Sequence, residues 1–233
     1  MATNPRTLAE RPPTLPPGDE LERFAGYGVM GLPFASGHCL ALRHFAASSI
    51  GPGYTSVWHR NPAGRWVMYT SSAPDTGCPR YFSRALSESR TATITVTWTG
   101  PASLQTTVDD TIDWSLTLTR SPATRAMSVA GSLLPAALWR NDHVLALMAR
   151  VAGPLLGVGR VGLTGTAPNG QSFRANPRRL WAVDDSRATV DGIDLGAPGP
   201  LPDQARLGDF WLPQRGMFAI GEAYFTPVPA ASG

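Results

Sequence analysis

The chain contains no lysine: all 20 of its basic residues are arginine. That absence removes whole classes of chemistry. There is no side-chain amine to form a Schiff base, to reach a nucleotide phosphate from a P-loop, or to serve as the lysine of a kinase. Cysteine is nearly as scarce. Cys39 and Cys78 allow at most one intramolecular disulfide, far short of a secreted disulfide scaffold. Charged residues make up only 16% of the 233 and hydrophobic residues 42%, which is material for a sizeable core and not a signature of disorder. Long apolar runs are missing too. The longest, residues 144–158, is broken by Arg150 and Pro154 and is too short to span a bilayer. The first 17 residues hold Pro12, Pro13, Pro16, Pro17, Arg6, Glu10 and Arg11 without an apolar segment of the signal-peptide kind, so cytoplasmic residence is expected.

The formal charge is +3, but the arginines are scattered and Arg178-Arg179 is the only adjacent pair. No stripe that could track phosphates is visible, and nucleic acid is not an expected partner. An all-arginine basic set beside abundant Ala, Gly and Pro matches the codon bias of a GC-rich genome such as an actinobacterium's.

From His38 onward short apolar runs alternate with turn signals, the pattern of antiparallel sheet. Residues 38–45, 54–60 and 65–71 read as strands, the last two joined by the turn Asn61-Pro62-Ala63-Gly64. Residues 78–86 are ambiguous, with a short helix as one reading. In 91–99, Ile94, Val96 and Trp98 oppose Thr93, Thr95 and Thr97, and residues 103–108 and 112–119 complete a meander. The period then changes. Ser121 followed by Pro122 is an N-cap with proline at the first helical position, and Met127, Ala130, Leu134, Ala137 and Leu138 fall on one face until Pro135 kinks or ends the helix. A second helix, capped by Asn141 or Asp142, carries Val144, Leu145, Met148, Val151, Ala152 and Leu155 as its stripe. Sheet resumes in 160–166 and 171–175 around Pro168-Asn169-Gly170, then in 180–183 and 187–190 around a turn at Asp184-Asp185-Ser186, and ends with 217–225.

The expected fold is therefore mostly β: an antiparallel barrel of about ten strands, since sheets that long curl or close. A helical hairpin near residues 122–157 is inserted in it, of a length suited to a lid or plug. The division expected is a flexible arm at 1–20, one barrel domain at 21–226 and a tail at 227–233.

Two stretches match G-x-G-x-x-G, Gly26 to Gly31 and Gly157 to Gly162. Neither has the strand before and helix after that a dinucleotide fingerprint needs, and both are read as chance products of a glycine-rich chain. His38, His44 and His59 could share a sheet face, but their spacing matches no compact ligand motif and no carboxylate lies between them. No metal and no cofactor is expected. Trp58-His59 and Asp113-Trp114 each set an ionisable group beside an aromatic in a strand, so His59 and Asp113 form an acid/base pair if both face a lumen and are ordinary solvated residues if both face out. Most of the seven tryptophans lie in strands, where core packing competes with lining a cavity for a flat ligand. The segment 207–216 gathers aromatics, an amide and both charges in a loop, and Glu222 is a lone carboxylate in an apolar strand, with an ion pair to Arg174 or Arg215 as its plain reading.

The order of these elements from His38 to Phe225 resembles a calycin or lipocalin-like barrel, and in outline is similar to the AttH and hydroxyneurosporene synthase (carotenoid hydratase) group. The resemblance rests on architecture and carries no residue across. It implies a central cavity for an apolar metabolite. The leading expectation is a barrel that binds an apolar or polycyclic small molecule and catalyses its cofactor-free isomerisation, cyclisation or hydration, as in secondary metabolism. His59, Asp113, Tyr69 and Glu222 are the candidate catalytic groups, with Trp58, Trp98, Trp114, Trp181 and Trp211 as walls. A non-catalytic carrier and a filled-barrel interaction module are the alternatives, and a packed lumen would favour the module. A homo-oligomer is compatible with all three.

Overall fold

The computed structural model describes residues 4–12 and 14–227, so Pro13 and most of the expected tail lie outside the described residues. In chain order the elements are α1 (Pro5–Ala9), β1 (Glu22–Val29), β2 (Leu32–Pro33), β3 (Cys39–Ser48), β4 (Tyr54–Arg60), β5 (Trp66–Thr70), α2 (Pro79–Phe82), β6 (Glu88–Thr91), β7 (Ile94–Trp98), β8 (Ser103–Val108), β9 (Ile112–Thr119), α3 (Pro122–Leu133), α4 (Asp142–Leu156), β10 (Thr164–Thr166), β11 (Ser172–Val190), β12 (Ile193–Asp194), β13 (Arg206–Leu207), β14 (Phe210–Trp211) and β15 (Met217–Phe225). One large sheet runs in the order β6-β5-β4-β3-β1-β15-β11-β9-β8-β7, with β2, β10 and β12 attached at its margins. Its two end strands are consecutive in the chain, separated by Ala92 and Thr93 alone. The Ala92 N–H donates to the Thr70 carbonyl on one edge, and the Thr93 carbonyl accepts from Asp109 N–H on the other, so the sheet curls until its edges meet at this step.

The sheet is mixed, where a purely antiparallel one was expected: β6 pairs with β5 in parallel. Parallel neighbours need a crossover to return the chain to its starting end. Residues 74–86 supply it, and the ambiguous stretch resolves into α2 and a 3₁₀ turn at Ser83–Ala85. The expected turn at Asp184-Asp185-Ser186 is absent. β11 runs unbroken for 19 residues, pairing with β15 and then β9, and Asp184 is the extra residue of a bulge between Val183 and Asp185. A second bulge at Arg178 adjoins Pro177, which has no N–H to give the ladder.

The concave face of the curl is a packed core. Residues from strands far apart in the sheet order meet there, among them Tyr27, Leu42, Val57, Trp114, Trp181 and Phe218. α1 adds Leu8 and Ala9 to this cluster, so part of the segment read as an arm is packed helix, capped by the Asn4 side chain accepting from Thr7 N–H. The convex face is covered in two places. Phe24, Tyr54, Trp58 and Met68 pack under Tyr81, Phe82, Leu207 and Leu212, while Leu180, Met217 and Ala219 lie under Val158 beside the helical hairpin.

That hairpin begins with the expected cap: Ser121 and Thr124 form a capping box with Pro122 inside the first turn. Its seating differs from the expected apolar stripe. α3 turns Thr124, Ser128 and Gly131 to the sheet, and leaves Val129 and Leu133 exposed, at 56% and 75%. The cause is the bulged stretch of β11, whose backbone groups need partners other than a ladder. Ser128 Oγ accepts from Leu180 N–H at 2.8 Å, and a Cβ on Gly131 would stand 3.1 Å from the Pro177 carbonyl oxygen. α4 does bury Leu145, Ala149 and Ala152, but Val151 and Leu155 of its expected stripe are exposed.

A single carboxylate ties β1 to the crossover and to β11. Buried Glu22 accepts from Arg80 at 2.7 Å, from the Tyr81 hydroxyl at 2.6 Å and from Gln171 Nε2 at 3.1 Å. Burial by itself would raise its pKa, but these donors more than offset that and hold the carboxyl below its ordinary value. Because its folded pKa is depressed, Glu22 stabilises the fold above the ordinary carboxylate range, and this contribution is lost as pH falls through the folded value. Urea unfolding of Glu22→Gln is expected to show a loss of about 2 kcal/mol at pH 7. The gap to wild type should narrow as the pH drops below 4; an equal gap at every pH would contradict the assignment.

Candidate functional site

An apolar cavity lies on the convex side of the sheet, between β1, β3, β11 and β15 and a cover made of α3, α4 and residues 158–163 and 210–213. Its volume is about 140 Å³, comparable to engineered apolar cavities of about 150 Å³ that hold benzene. Four of the six methionines line it: Met30 and Met217 from the sheet side, Met127 and Met148 from the helices. Thioether side chains repack readily, so the walls can adjust to an occupant. Phe45, Leu180, Phe210 and Trp211 complete the apolar surface.

Among the lining residues, Arg43, Asn176 and Glu222 bring a guanidinium, an amide and a carboxylate. Arg43 projects from β3 on the same side as Ala41 and Phe45 and is only 4% exposed. Its Nη1 donates to the Val29 and Leu42 carbonyls at 2.6 and 2.8 Å, and its Nη2 to the Met30 carbonyl at 3.2 Å. The guanidinium carbon lies 4.7 Å from the Trp58 ring centre and 5.4 Å from that of Phe210. Burial lowers its pKa to about 10, so it stays charged at neutral pH. Among the described residues it has no carboxylate partner; the ionisable groups nearest it are Cys78, Tyr54 and Cys39, whose pKa values burial pushes up and which are neutral. Glu222 is engaged, accepting from Arg178 Nη2 at 3.0 Å and from the Tyr224 hydroxyl at 2.8 Å. The buried Asn176 Oδ1 accepts no hydrogen bond among the described residues. Trp211 is flanked by the guanidinium groups of Arg160 and Arg206, 4.8 and 5.3 Å from its ring.

Of the groups expected to do chemistry, only Glu222 reaches this cavity, and its ion pair is with Arg178 rather than Arg174 or Arg215. Asp113 stands in solvent on β9 and accepts from Gln105 Nε2, whereas its neighbour Trp114 points into the core, so no His59–Asp113 pair forms. Tyr69 is part of the concave core with its pKa raised by burial. His59 is 7% exposed and meets another histidine: His38 Nδ1 and His59 Nε2 are 2.8 Å apart with the rings parallel. Burial, and then the charge His38 would carry, push His59 down to about 4.

The tryptophans divide between two faces. Trp114 and Trp181 are core, with Trp114 Nε1 donating to Ser186 Oγ, and Trp98 packs on Tyr27 and Phe218 at the edge of that core. Trp58 lies on the convex side beneath Arg43, and Trp211 alone of the five lines the cavity. The mixed loop 207–216 contributes Phe210, Trp211 and Pro213 to the wall. What sequence reasoning missed is Arg43, although one signal was available: it is the lone cation in the apolar run Cys39 to Leu42 and Phe45, on the strand's own alternation. The methionines carried no such mark, because their positions converge only through tertiary contact.

No family model matches the chain, and no curated protein matches it. The outline likeness to the AttH group therefore finds no support in these comparisons. Among solved structures the chain is similar to an acetoacetate decarboxylase from Legionella pneumophila, at 10% identity and a TM-score of 0.39, over 92% of this chain and 87% of that one. A likeness at this level carries neither fold nor function across.

The histidine pair generates a pH effect on stability. His59 is neutral in the fold, while the unfolded chain protonates it near the ordinary value of about 6.5. Between pH 6.5 and about 4 the unfolded state binds the extra proton, so stability falls with pH, by on the order of 2 kcal/mol. His59→Asn is expected to flatten that part of the profile. An NMR titration that finds His59 protonating near 6.5 in the folded protein would refute the assignment.

Proposed function

We propose that this chain binds an apolar small molecule, seated in the cavity between the convex face of the sheet and the helical hairpin. The observation that carries the reading is the cavity's composition: a nearly continuous apolar lining with four methionines, two of them on the hairpin that covers it. The concave interior is not offered as the site, because aromatic and aliphatic side chains fill it. α3 meets the sheet through the small residues Thr124, Ser128 and Gly131 and leaves Val129 and Leu133 outside, a seating that suits a cover able to lift.

Carriage is favoured over turnover. Among the described residues the cavity's one carboxylate, Glu222, is already paired, no histidine lines the space, and Asp113 and Tyr69 are elsewhere. A cofactor-free isomerisation, cyclisation or hydration would need an acid or base at the ligand, and Glu222 is the group left for that part.

Native mass spectrometry of protein from its own host should find a bound apolar compound. Thermal denaturation with a panel of monocyclic and short-chain compounds, neutral and acidic, should raise the melting temperature of the wild type and leave Ala152→Phe, which fills the cavity, unshifted. A clean unliganded mass with no shift across the panel would count against binding.

A second reading, an interaction module, is favoured by two observations: the filled interior, and an apolar surface on the hairpin where Val129, Leu133, Leu147, Val151 and Leu155 are each about half exposed or more. Sedimentation velocity tests its simplest form. Self-association through this face is expected to weaken in Leu133→Glu/Leu147→Glu; a wild type that stays monomeric at 100 micromolar, roughly the concentration at which weak interfaces populate, would remove a second copy of this chain as the partner.

A further inference from the structure

Arg43 is a buried cation that has no carboxylate partner among the described residues. Moving a guanidinium out of water costs several kcal/mol unless an opposite charge or a full set of acceptors replaces the water. A guanidinium carries five N–H groups, and three hydrogen bonds to carbonyls are made, at Val29, Leu42 and Met30. Nε and one Nη2 hydrogen are left without a bond among the described residues. The rings of Trp58 and Phe210 cover the guanidinium and fix its plane. Glu222, which could have neutralised it, is committed to Arg178 and Tyr224. At Trp211, which also lines the cavity, the two groups over the ring are again arginines, Arg160 and Arg206. Arginine thus outnumbers carboxylate around this apolar space, whose one lining carboxylate among the described residues, Glu222, is already paired.

Resting on the cavity reading above, we infer that the ligand is an acid: an apolar body of one ring or a short chain, seated among the methionines, whose carboxylate supplies the counter-charge that Arg43 lacks. The carboxylate takes the two N–H groups that the backbone leaves unused, in the planar arrangement guanidinium and carboxylate share. Arg160 and Arg206 bias approach of the anion toward the wall formed by Trp211. The size of the body follows from the cavity, about 140 Å³.

The test pairs acids with isosteric alcohols. Calorimetry or ligand-observed NMR on the full chain measures phenylacetate against 2-phenylethanol and hexanoate against 1-hexanol. Wild type is expected to bind each acid at least tenfold more tightly than its alcohol. Arg43→Met should lose that preference while keeping the alcohols, and Arg43→Lys should retain part of it. Because the acid-to-alcohol ratio is read on the wild type, the inference can be judged even if Arg43→Met does not fold. Alcohols bound as tightly as acids would overturn the role of Arg43 and leave the cavity reading standing. No binding of either class would overturn both. An acid preference that survives in a folded Arg43→Met would overturn the assignment of the counter-charge to this residue.

Discussion

Ala92 and Thr93 carry the chain from one edge of the sheet to the other, and the three peptide steps from Thr91 to Ile94 reach at most about 11 Å. A ten-strand sheet whose ends are tied so closely has one solution, to curl. Curling sorts the side chains. Those on the concave side, Trp114, Trp181 and Phe218 among them, meet across the curl and exclude water from its centre. Those on the convex side are splayed and need covers, and the chain supplies two: the crossover with α2 and the β13–β14 loop over one half, and the helical hairpin over the other. The cavity lies where the two covers adjoin, and that is the reason its wall draws on so many separate segments.

The bulges in β11 fix how the second cover sits. A regular strand would present only side chains to a helix, but at Pro177-Arg178 the ladder is interrupted and backbone carbonyls stand within reach of α3. Small polar residues meet that need better than leucines. The helix therefore rests on Thr124, Ser128 and Gly131, and Val129 and Leu133 turn outward. This one exchange produces both a close helix–strand contact and the exposed apolar surface of the hairpin.

Two buried charges in the same fold are treated in opposite ways. Glu22 is met by Arg80, Tyr81 and Gln171, a closed network that leaves it nothing further to bind. Arg43, equally buried, is met among the described residues by backbone carbonyls and aromatic faces only. The first arrangement is what a structural ion needs. The second leaves a positive charge without a carboxylate partner among the described residues beside an apolar cavity, which is the physical ground for inferring an acidic ligand.

Local pattern settled a good deal. Alternation in Ile112–Thr119 set which residues are buried, since neighbouring side chains of a strand must point to opposite faces, and Ser121-Pro122 placed the start of α3 because the cap satisfies orphan amides of its own first turn. The Asn61–Gly64 turn was legible for the same reason, Gly64 having the positive φ that hairpin requires. The absence of lysine excluded its chemistries outright. The errors about the sheet and its cover involved partners distant in the chain. The parallel β5–β6 pair depends on where a crossover returns, the run through Asp184 depends on two different strands accepting one long ladder, and the inverted face of α3 depends on a bulge some fifty residues away. The candidate site belongs to that second group. Of the residues chosen for their chemistry, Trp114, Trp181 and Tyr69 went to the core and Asp113 to solvent, and only Trp211 and Glu222 reach the cavity, where Arg43 and four methionines, from β3, β15, α3, α4 and the end of β1, converge. Composition and local periodicity act within a few residues and so determined the elements; burial of a charge and the walls of a cavity are properties of the assembled layers, and only the tertiary structure decided them.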